Sequence, residues 1–416
     1  MSVQVAFVGS LPLPEDTVDN PAYSPAGALF QERLLDALDA APECTLSHVF
    51  AGRRLASFPR GRPIAVRSRP ARILGRLPGT MLGFVNLGAL KPLTLALALV
   101  PRVLLWTWRE RNRPRVLLLY NIASPPGIFA VLAGRISRTR VVGLIADIEV
   151  PGSGLVPSTL LRRLEYRLQV RTLPLLDGLI VLTRRMHGDF APRVPYLVME
   201  GAVNEEIVAP APGLPPDETT CALMYAGQLS ELKGIPLLLD AFAGLEGAAW
   251  QLWLTGDGPL RDLVRAAAAR DPRIHFHGMV PYPEVLALSR RATMLVNPHR
   301  AWLASARYLF PSKLIEFLAS GRPVVTTVST PEVREEYGAV AYLVEEETPE
   351  ALRGMIRHVA SLPEAERRAR GAAAQTLVRT HKTWRAQGGR IARFIARVAA
   401  GEGAGEAARQ PVGQGQ

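Results

Sequence analysis

Short apolar runs that close on a glycine or a polar turn alternate along this chain with longer stretches in which leucines recur every three or four positions. The first run is VQVAFVGS, Val3–Ser10. After a loop rich in proline and aspartate comes AGALFQERLLDALDA, with Leu29, Leu34, Leu35 and Leu38 at helical spacing. Further runs follow at Arg115–Asn121 (RVLLLYN), Arg140–Asp147 (RVVGLIAD), Asp177–Thr183 (DGLIVLT) and Pro195–Val203 (PYLVMEGAV), with helix-sized segments between most of them. Runs that are apolar throughout, rather than alternating, predict strands covered on both faces, as in a parallel sheet.

The proline-crowded segment VAPAPGLPPDETT, Val208–Thr220, has the composition of a linker. Beyond it the pattern restarts: CALMYAG, a helix from Gly234, WQLWLTG, a helix from Pro259, RIHFHG, a helix from Pro283, TMLVNP, a helix opened by Pro311, and PVVTT. Two doubly wound α/β units joined by a hinge account for this order most economically, with the first over residues 1–205 and the second over 206–380. The small, polar tail at 401–416 predicts disorder.

Residues 72–113 interrupt the pattern with apolar runs, flanking arginines and two tryptophans, Trp106 and Trp108. Lys91-Pro92 and Pro101-Arg102 divide the stretch into pieces shorter than the roughly 20 residues a membrane span needs. It is expected either to form buried helices of the first unit or to lay one apolar face on an anionic membrane surface. The formal net charge of +12 suits such a surface. It would also suit nucleic acid, but the arginines are spread over the whole chain and no nucleic-acid-binding module is visible, so nucleic acid is not an expected partner. With 48% hydrophobic residues, 416 positions can bury a large core. Two cysteines, Cys44 and Cys221, cannot build a disulfide framework, and the opening MSVQVAFVGS lacks the features of a signal peptide, so a cytoplasmic location is expected, at the inner membrane face if 72–113 meets lipid.

Ligands of open parallel sheets sit beyond the carboxyl ends of the strands. In the second unit YAGQLSELKG leaves a strand at Gly227 and delivers Lys233 just before a helix, and LTGDGP places Gly256 and Gly258 directly after another strand. The helix in YLFPSKLIEFLASGRPVV poses a sharper question, because Lys313 lies in its first turn, where the helix dipole disfavours a cation. A phosphate-like anion at that turn would reverse the sign. Leu314, Phe317 and Leu318 share the apolar face, and Ser312, Glu316 and Ser320 follow on the polar one, which puts the Glu316 carboxylate one turn behind the anion, where it can accept two hydrogen bonds from a ribose diol. The plainer alternative is a Lys313–Glu316 surface pair worth a few tenths of a kcal/mol.

The ordered set YAGQLSELKGIPLLLDAF, LWLTGDGPL, IHFHGMV, MLVNPH and FPSKLIEFLASGRPVV resembles the donor domain of retaining glycosyltransferases of the group-1, family-four type, which have the two-Rossmann GT-B fold. The resemblance implies that Gly227, Lys233 and Gly256 line the site of the donor diphosphate and that the backbone at Phe276, His277 and Gly278 meets the nucleobase. It further implies that Ser312, Lys313 and Leu314 hold phosphate, that Glu316 binds ribose, that Gly27 lines the cleft between domains, and that the C-terminal helix, 381–400, packs back on the first unit. Two positions depart from the family pattern: Tyr308 stands where the first of two glutamates is usual, and Gln228 replaces a frequent arginine, leaving Lys233, Lys313 and Arg307 to balance the diphosphate.

The implied reaction moves a sugar from a nucleotide-diphosphate sugar to an acceptor hydroxyl with retention, and Lys233 and Glu316 join Asp147, which ends the third run, as catalytic candidates. A sugar, lipid-linked or polysaccharide acceptor fits the arginine-flanked segment. His299 in VNPH is an ordinary loop residue or a contact to the sugar. No HExxH, aspartate-rich cluster or Cys/His spacing is present, so neither a metal nor a cofactor beyond the donor is expected. An epimerase acting on nucleotide sugars would share the diphosphate site, and a non-catalytic membrane-associated scaffold would bind no nucleotide. A dinucleotide-dependent oxidoreductase is excluded by the lack of GxGxxG after the first strand.

Overall fold

The computed structural model describes residues 2–11, 25–88, 90–122, 126–148, 150–152, 159–208, 220–301 and 308–402. The chain divides into two units, Met1–Met199 with Trp384–Gln410, and Glu200–Thr383 with the remaining tail. The linker at 208–220 and the polar tail fall almost wholly outside the described residues, as does Arg307.

Unit one starts with β1 (Val3–Ser10), α1 (Pro25–Asp39) and β2 (Cys44–Gly52). Four short strands follow, β3 (Ala65–Val66), β4 (Arg69–Ile73), β5 (Leu77–Leu82) and β6 (Phe84–Val85), then the long helix α2 (Leu90–Arg109). The doubly wound pattern continues with β7 (Arg115–Tyr120), α3 (Pro126–Ile136), β8 (Arg140–Ile145), α4 (Leu160–Thr172), β9 (Gly178–Val181), α5 (Arg184–Phe190) and β10 (Tyr196–Val198). Eight strands form one sheet in the order β10-β9-β8-β7-β1-β2-β5-β4, parallel except for the β4–β5 pair. Its centre is almost purely apolar: Val5, Phe7, Leu117, Leu118, Val142 and Ile180 are at most 1% exposed.

Two features of this unit escape a reading by hydrophobic runs. Strand β2 carries Ser47 and His48 in its middle, so its sequence CTLSHVFAG does not look like a buried strand. The structure accommodates both groups, with His48 Nε2 3.0 Å from Thr80 Oγ1 and the Ser47 hydroxyl donating to Val5 O. Second, the expected breaks at Lys91-Pro92 and Pro101-Arg102 do not occur. Pro92 lies in the first turn of α2, where its missing N–H costs nothing, and Pro101 lies on the outer face, with the Arg102 guanidinium donating to the neighbouring Ala98 carbonyl at 2.6 Å. Trp106 is buried rather than presented outward, its indole N–H donating to Ser47 Oγ at 3.0 Å, whereas Trp108 is 61% exposed.

Unit two contains β11 (Cys221–Ala226), α6 (Ile235–Ala243), β12 (Trp250–Thr255), α7 (Arg261–Arg270), β13 (Ile274–Gly278), α8 (Tyr282–Arg291) and β14 (Met294–Asn297). It is completed by α9 (Lys313–Ala319), β15 (Val324–Thr327), α10 (Pro331–Tyr337), β16 (Tyr342–Val344), α11 (Pro349–Ser361) and α12 (Glu364–His381). All six strands are parallel, in the order β13-β12-β11-β14-β15-β16. The chain works outward from β11 to β13 and then crosses back to β14, so the strand order reverses between β11 and β14 and opens a crevice at their carboxyl ends.

Lys382 closes this unit. Its ammonium, 3% exposed, lies 2.9 Å from Glu200 and 3.2 Å from Glu336, and 5.4 Å from the centroid of the buried Tyr337 ring. Val203 N–H donates to Lys382 O at 2.9 Å, and Val203 bridges Thr383. Because Glu200 and Lys382 pair inside the second unit, the break falls between Met199 and Glu200, slightly before the residue 205 boundary read from composition. Helix α13 (Trp384–Ala400) then belongs to unit one, where it packs on α1: a Cβ on Gly388 would stand 2.8 Å from the Ala37 carbonyl oxygen, and Trp384 meets Phe30 edge-on.

Removing one partner from a buried charge group leaves the others uncompensated in a low-dielectric setting. Lys382→Ala is therefore expected to destabilise unit two by about 3–5 kcal/mol, read as a lower urea midpoint by circular dichroism.

Candidate functional site

The crevice at the carboxyl ends of β11, β12 and β13 is built by three glycine turns that lie one on another. Gly227 N–H donates to Thr255 O at 3.1 Å and Gly256 N–H donates to Gly278 O at 2.8 Å. A Cβ on Gly256 would stand 1.8 Å from the Gly227 carbonyl oxygen, and one on Gly258 would stand 2.4 Å from Leu229 O, so neither position admits a side chain. The Tyr225 hydroxyl donates to Gln228 O at 2.8 Å and fixes the turn after β11. Gly278 differs: its φ is +67°, and nothing lies near where its Cβ would be.

Two lysines converge on this frame. Lys233 is carried there by the turn before α6, where Gly234 adopts φ +73° against the Pro298 carbonyl at the end of β14. Its ammonium is penalised by burial and then by the nearby Lys313 charge, so its pKa lies below that of an ordinary lysine. Lys313 passes beside Gly227, with Cγ 3.8 Å from where a Gly227 Cβ would be. His299, just after β14, is 1% exposed, and burial with the Lys233 charge lowers its pKa to about 3, so the ring is neutral. Two cations are thus held close together at the carboxyl end of the sheet, an arrangement that costs free energy unless an anion shares the space.

Helix α9 begins at Lys313 rather than at Pro311. Leu314 and Phe317 are buried, Ser312 is exposed, and Glu316 stands on the open face, as the spacing predicts. The backbone groups expected to hold phosphate are already engaged: Ser312 N–H donates to Phe310 O at 2.9 Å and Leu314 N–H to Pro311 O at 2.8 Å. Leu314 itself is a core residue. An anion at this turn would therefore meet the Lys313 ammonium rather than those two N–H groups. Lys313 Nζ donates to Glu316 Oε2 at 2.7 Å, with about a third of each side chain exposed, so the surface pair does form, and at that exposure it is weak.

Among the other expected positions, Phe276 is partly buried on β13, His277 is exposed and Tyr308 is 3% exposed. Burial, then neighbouring His275, lowers the His277 pKa. Tyr282 at the start of α8 was not foreseen from sequence: burial, the Glu316 charge and a hydrogen bond to Glu316 raise its pKa, so its phenol stays protonated and faces that carboxylate. Only its place four residues after Gly278 hinted at this.

In unit one, Asn121 holds the end of β8, its side-chain oxygen accepting from Ala146 N–H at 2.7 Å and Asp147 N–H at 3.2 Å. Asp147 is exposed, and together with burial it pushes the Tyr120 phenol up to about 12. Gly27 opens α1, where its carbonyl accepts from the Gln31 amide, which also bonds both backbone groups of Ser10 at 2.8 Å. Among the described residues no group of three or more His, Cys, Asp or Glu is placed to hold a metal ion.

Open α/β sheets take their ligands at a switch-point crevice, and here that crevice presents two lysines and a carboxylate beside glycine turns. Residues 220–361 match the family model described as "Glycosyl transferases group 1", and this segment is a group 1 glycosyl transferase domain, which bears out the resemblance read from its motifs. No curated protein matches the chain. Solved structures match across both units. Sucrose-phosphate synthase from Thermosynechococcus elongatus has 16% identity and a TM-score of 0.64, over 96% of this chain and 100% of that one. Anabaena HepE in complex with UDP has 15% identity and a TM-score of 0.62, over 95% and 100%. The lipopolysaccharide outer core galactosyltransferase WaaB has 15% identity and a TM-score of 0.62, over 94% and 99%. The fold is that of the GT-B glycosyltransferases.

The glycine geometry separates two substitutions. Gly256→Ala should cost about 2–4 kcal/mol, because the Gly227 backbone would have to move. Gly278→Ala meets no atom and should cost only about 1–2 kcal/mol for its left-handed φ. Thermal denaturation of the two variants gives the comparison.

Proposed function

We propose that the protein transfers a sugar from a nucleotide-diphosphate sugar to an acceptor hydroxyl with retention of anomeric configuration, in the synthesis of a polysaccharide or glycolipid on the cytoplasmic side of a membrane. The observation that carries this reading is the convergence of Lys233 and Lys313 on the glycine turns, within the segment that matches group 1 glycosyl transferases. The HepE structures with UDP and with UDP-glucose support a nucleotide-sugar donor, and the galactosyltransferase WaaB supports a glycolipid acceptor.

In this reading the bond between the anomeric carbon and the diphosphate oxygen breaks with its electron pair passing to the diphosphate. Lys233 and Lys313 meet the charge that grows there, and in a fixed low-dielectric site such preorganised charge is commonly the largest catalytic contribution. Glu316 accepts from the ribose hydroxyls, with the Tyr282 phenol orienting its carboxylate. Before the donor arrives Lys313 and Glu316 neutralise each other, and a partly exposed pair one turn apart is separated at a cost of only a few tenths of a kcal/mol. The acceptor oxygen bonds to the anomeric carbon on the face the diphosphate leaves, and Asp147 is the candidate to receive its proton. The two lysines supply the positive charge in this reading without a metal.

A panel of UDP-, GDP-, ADP- and CMP-sugars in thermal-shift and hydrolysis assays should yield at least one responding nucleotide, and a flat response to all of them would overturn the proposal. Lys233→Ala and Lys313→Ala should each lower kcat/KM by about 10²–10³. The sign of the pH effect follows from the depressed Lys233 pKa. A bound diphosphate favours the ammonium and raises that pKa, so binding takes up a proton at alkaline pH and affinity falls as pH rises through the pKa of the free enzyme. Calorimetry in buffers of different ionisation enthalpy measures that uptake, which Lys233→Ala should abolish.

Two finer elements have their own test. The anomeric configuration of the product, read by proton NMR coupling constants, should equal that of the donor, and the rate should be unchanged by a chelator.

A further inference from the structure

The outward face of α2 is apolar along its whole length. Its exposed line runs Leu90, Leu93, Leu97, Pro101, Leu105 and Trp108, steps of three and four that keep one side of the helix. An ordinary surface helix carries its charges on that side and its apolar stripe on the other. The opposite face of α2 is apolar too, but it is used: Ala96, Leu99, Val103 and Trp106 are buried as the helix packs on α3, β2, β5 and β6. By length and composition α2 could cross a bilayer, yet doing so would strip those four residues from the core of unit one.

The line continues onto neighbouring elements. Helix α3, packed against α2, exposes Phe129, Leu132 and Ile136 at the same spacing. At the other end, Phe58, Ile64 and Leu87 are exposed and tied to one another through Asn86, which accepts from Phe58 N–H and donates its own N–H to Ile64 O. Cations frame this surface. Helices α2, α3 and α4 together carry eight lysines and arginines against one carboxylate, Glu165. On α4 the exposed positions Arg163, Arg167 and Arg171 share a side, and Arg109, Arg111 and Arg113 are exposed at and beyond the end of α2.

We propose that this face of unit one docks in the plane of an anionic lipid bilayer, with the α2 ridge sunk to the acyl boundary, Trp108 at the headgroup level and the arginines on lipid phosphates. The charge pattern selects this occupant. An in-plane helix with an apolar outer line and a basic fringe gains from both burial and the negative surface potential. A second copy would bring two arginine fringes together in a protein whose formal net charge is already +12. The proposal concerns unit one alone and does not depend on the nucleotide reading, since vesicle binding is measured without any donor.

The test uses the full chain and vesicles of phosphatidylcholine alone or with about 30% phosphatidylglycerol, in co-sedimentation at low and high salt. Binding is expected to the anionic vesicles and to weaken with salt. Leu97→Ser with Trp108→Ser should lower the partition coefficient at least about tenfold, since both remove large apolar side chains from the acyl boundary, while the melting temperature holds because both positions are exposed. Arg167→Glu with Arg171→Glu should weaken binding to the anionic vesicles only. Absence of binding to any vesicle, or binding indifferent to the Leu97/Trp108 pair, overturns the proposal. So does a dimer in sedimentation velocity that the same pair abolishes, which would make the ridge a contact between copies.

Discussion

The buried ammonium of Lys382 is the constraint on which unit two rests. A lysine that is 3% exposed is tolerable only because Glu200 and Glu336 lie within hydrogen-bonding distance and the Tyr337 ring faces it. Burial by itself would lower its pKa, and those neighbours outweigh burial, so the net shift is upward and the charge persists. Glu200 is where the chain enters the unit and Lys382 is next to where it leaves, so one ionic group fastens both passages. The chain thereby enters and leaves unit two at neighbouring points, where Val203 also bridges Thr383.

Within that unit the site is an electrostatic arrangement made affordable by backbone geometry. Stacked glycine turns remove side-chain bulk from the ends of β11, β12 and β13, and the space is occupied by two lysines that repel each other. His299, just after β14, is neutral and the Tyr282 phenol at the start of α8 is protonated, so neither adds charge of its own. Glu316 offsets Lys313 through a weak pair, and among the described residues no carboxylate pairs with Lys233. The positive excess that results is local and independent of the net charge of the chain.

Much of this could be read from the chain because parallel strands buried on both faces are written as unbroken apolar runs. CALMYAG, WQLWLTG and TMLVNP each gave a strand at the expected place, and Gly227, Gly256, Lys233, Lys313 and Glu316 fell at strand ends or helix starts by simple counting. What escaped was what depends on contacts distant in sequence. Strand β2 was hidden because Ser47 and His48 find partners only in the folded sheet. Pro101 was read as a break because sequence does not reveal that its missing N–H lies on the outer side of α2. Trp106 and Trp108 looked equivalent, yet one fills the core and the other faces out. Tyr282 meets Glu316 across 34 positions of sequence, and the engaged N–H groups of Ser312 and Leu314 follow from a tight turn that periodicity does not encode.

Helix α13 has a consequence for how the protein is made. It covers α1 and borders β8 and β9, with Val398 and Phe394 against Gly178. A ribosome working at about 5–20 residues per second needs on the order of ten to forty seconds to pass from Met199 to that helix. During that interval the earlier α/β layer is complete in its strands but bare on one flank, and the ionic group of the inserted layer is itself completed only by Lys382, two residues before the helix begins. The earlier layer is therefore expected to wait on the last helix of the chain, and in its nascent form it is the species that holding chaperones would meet.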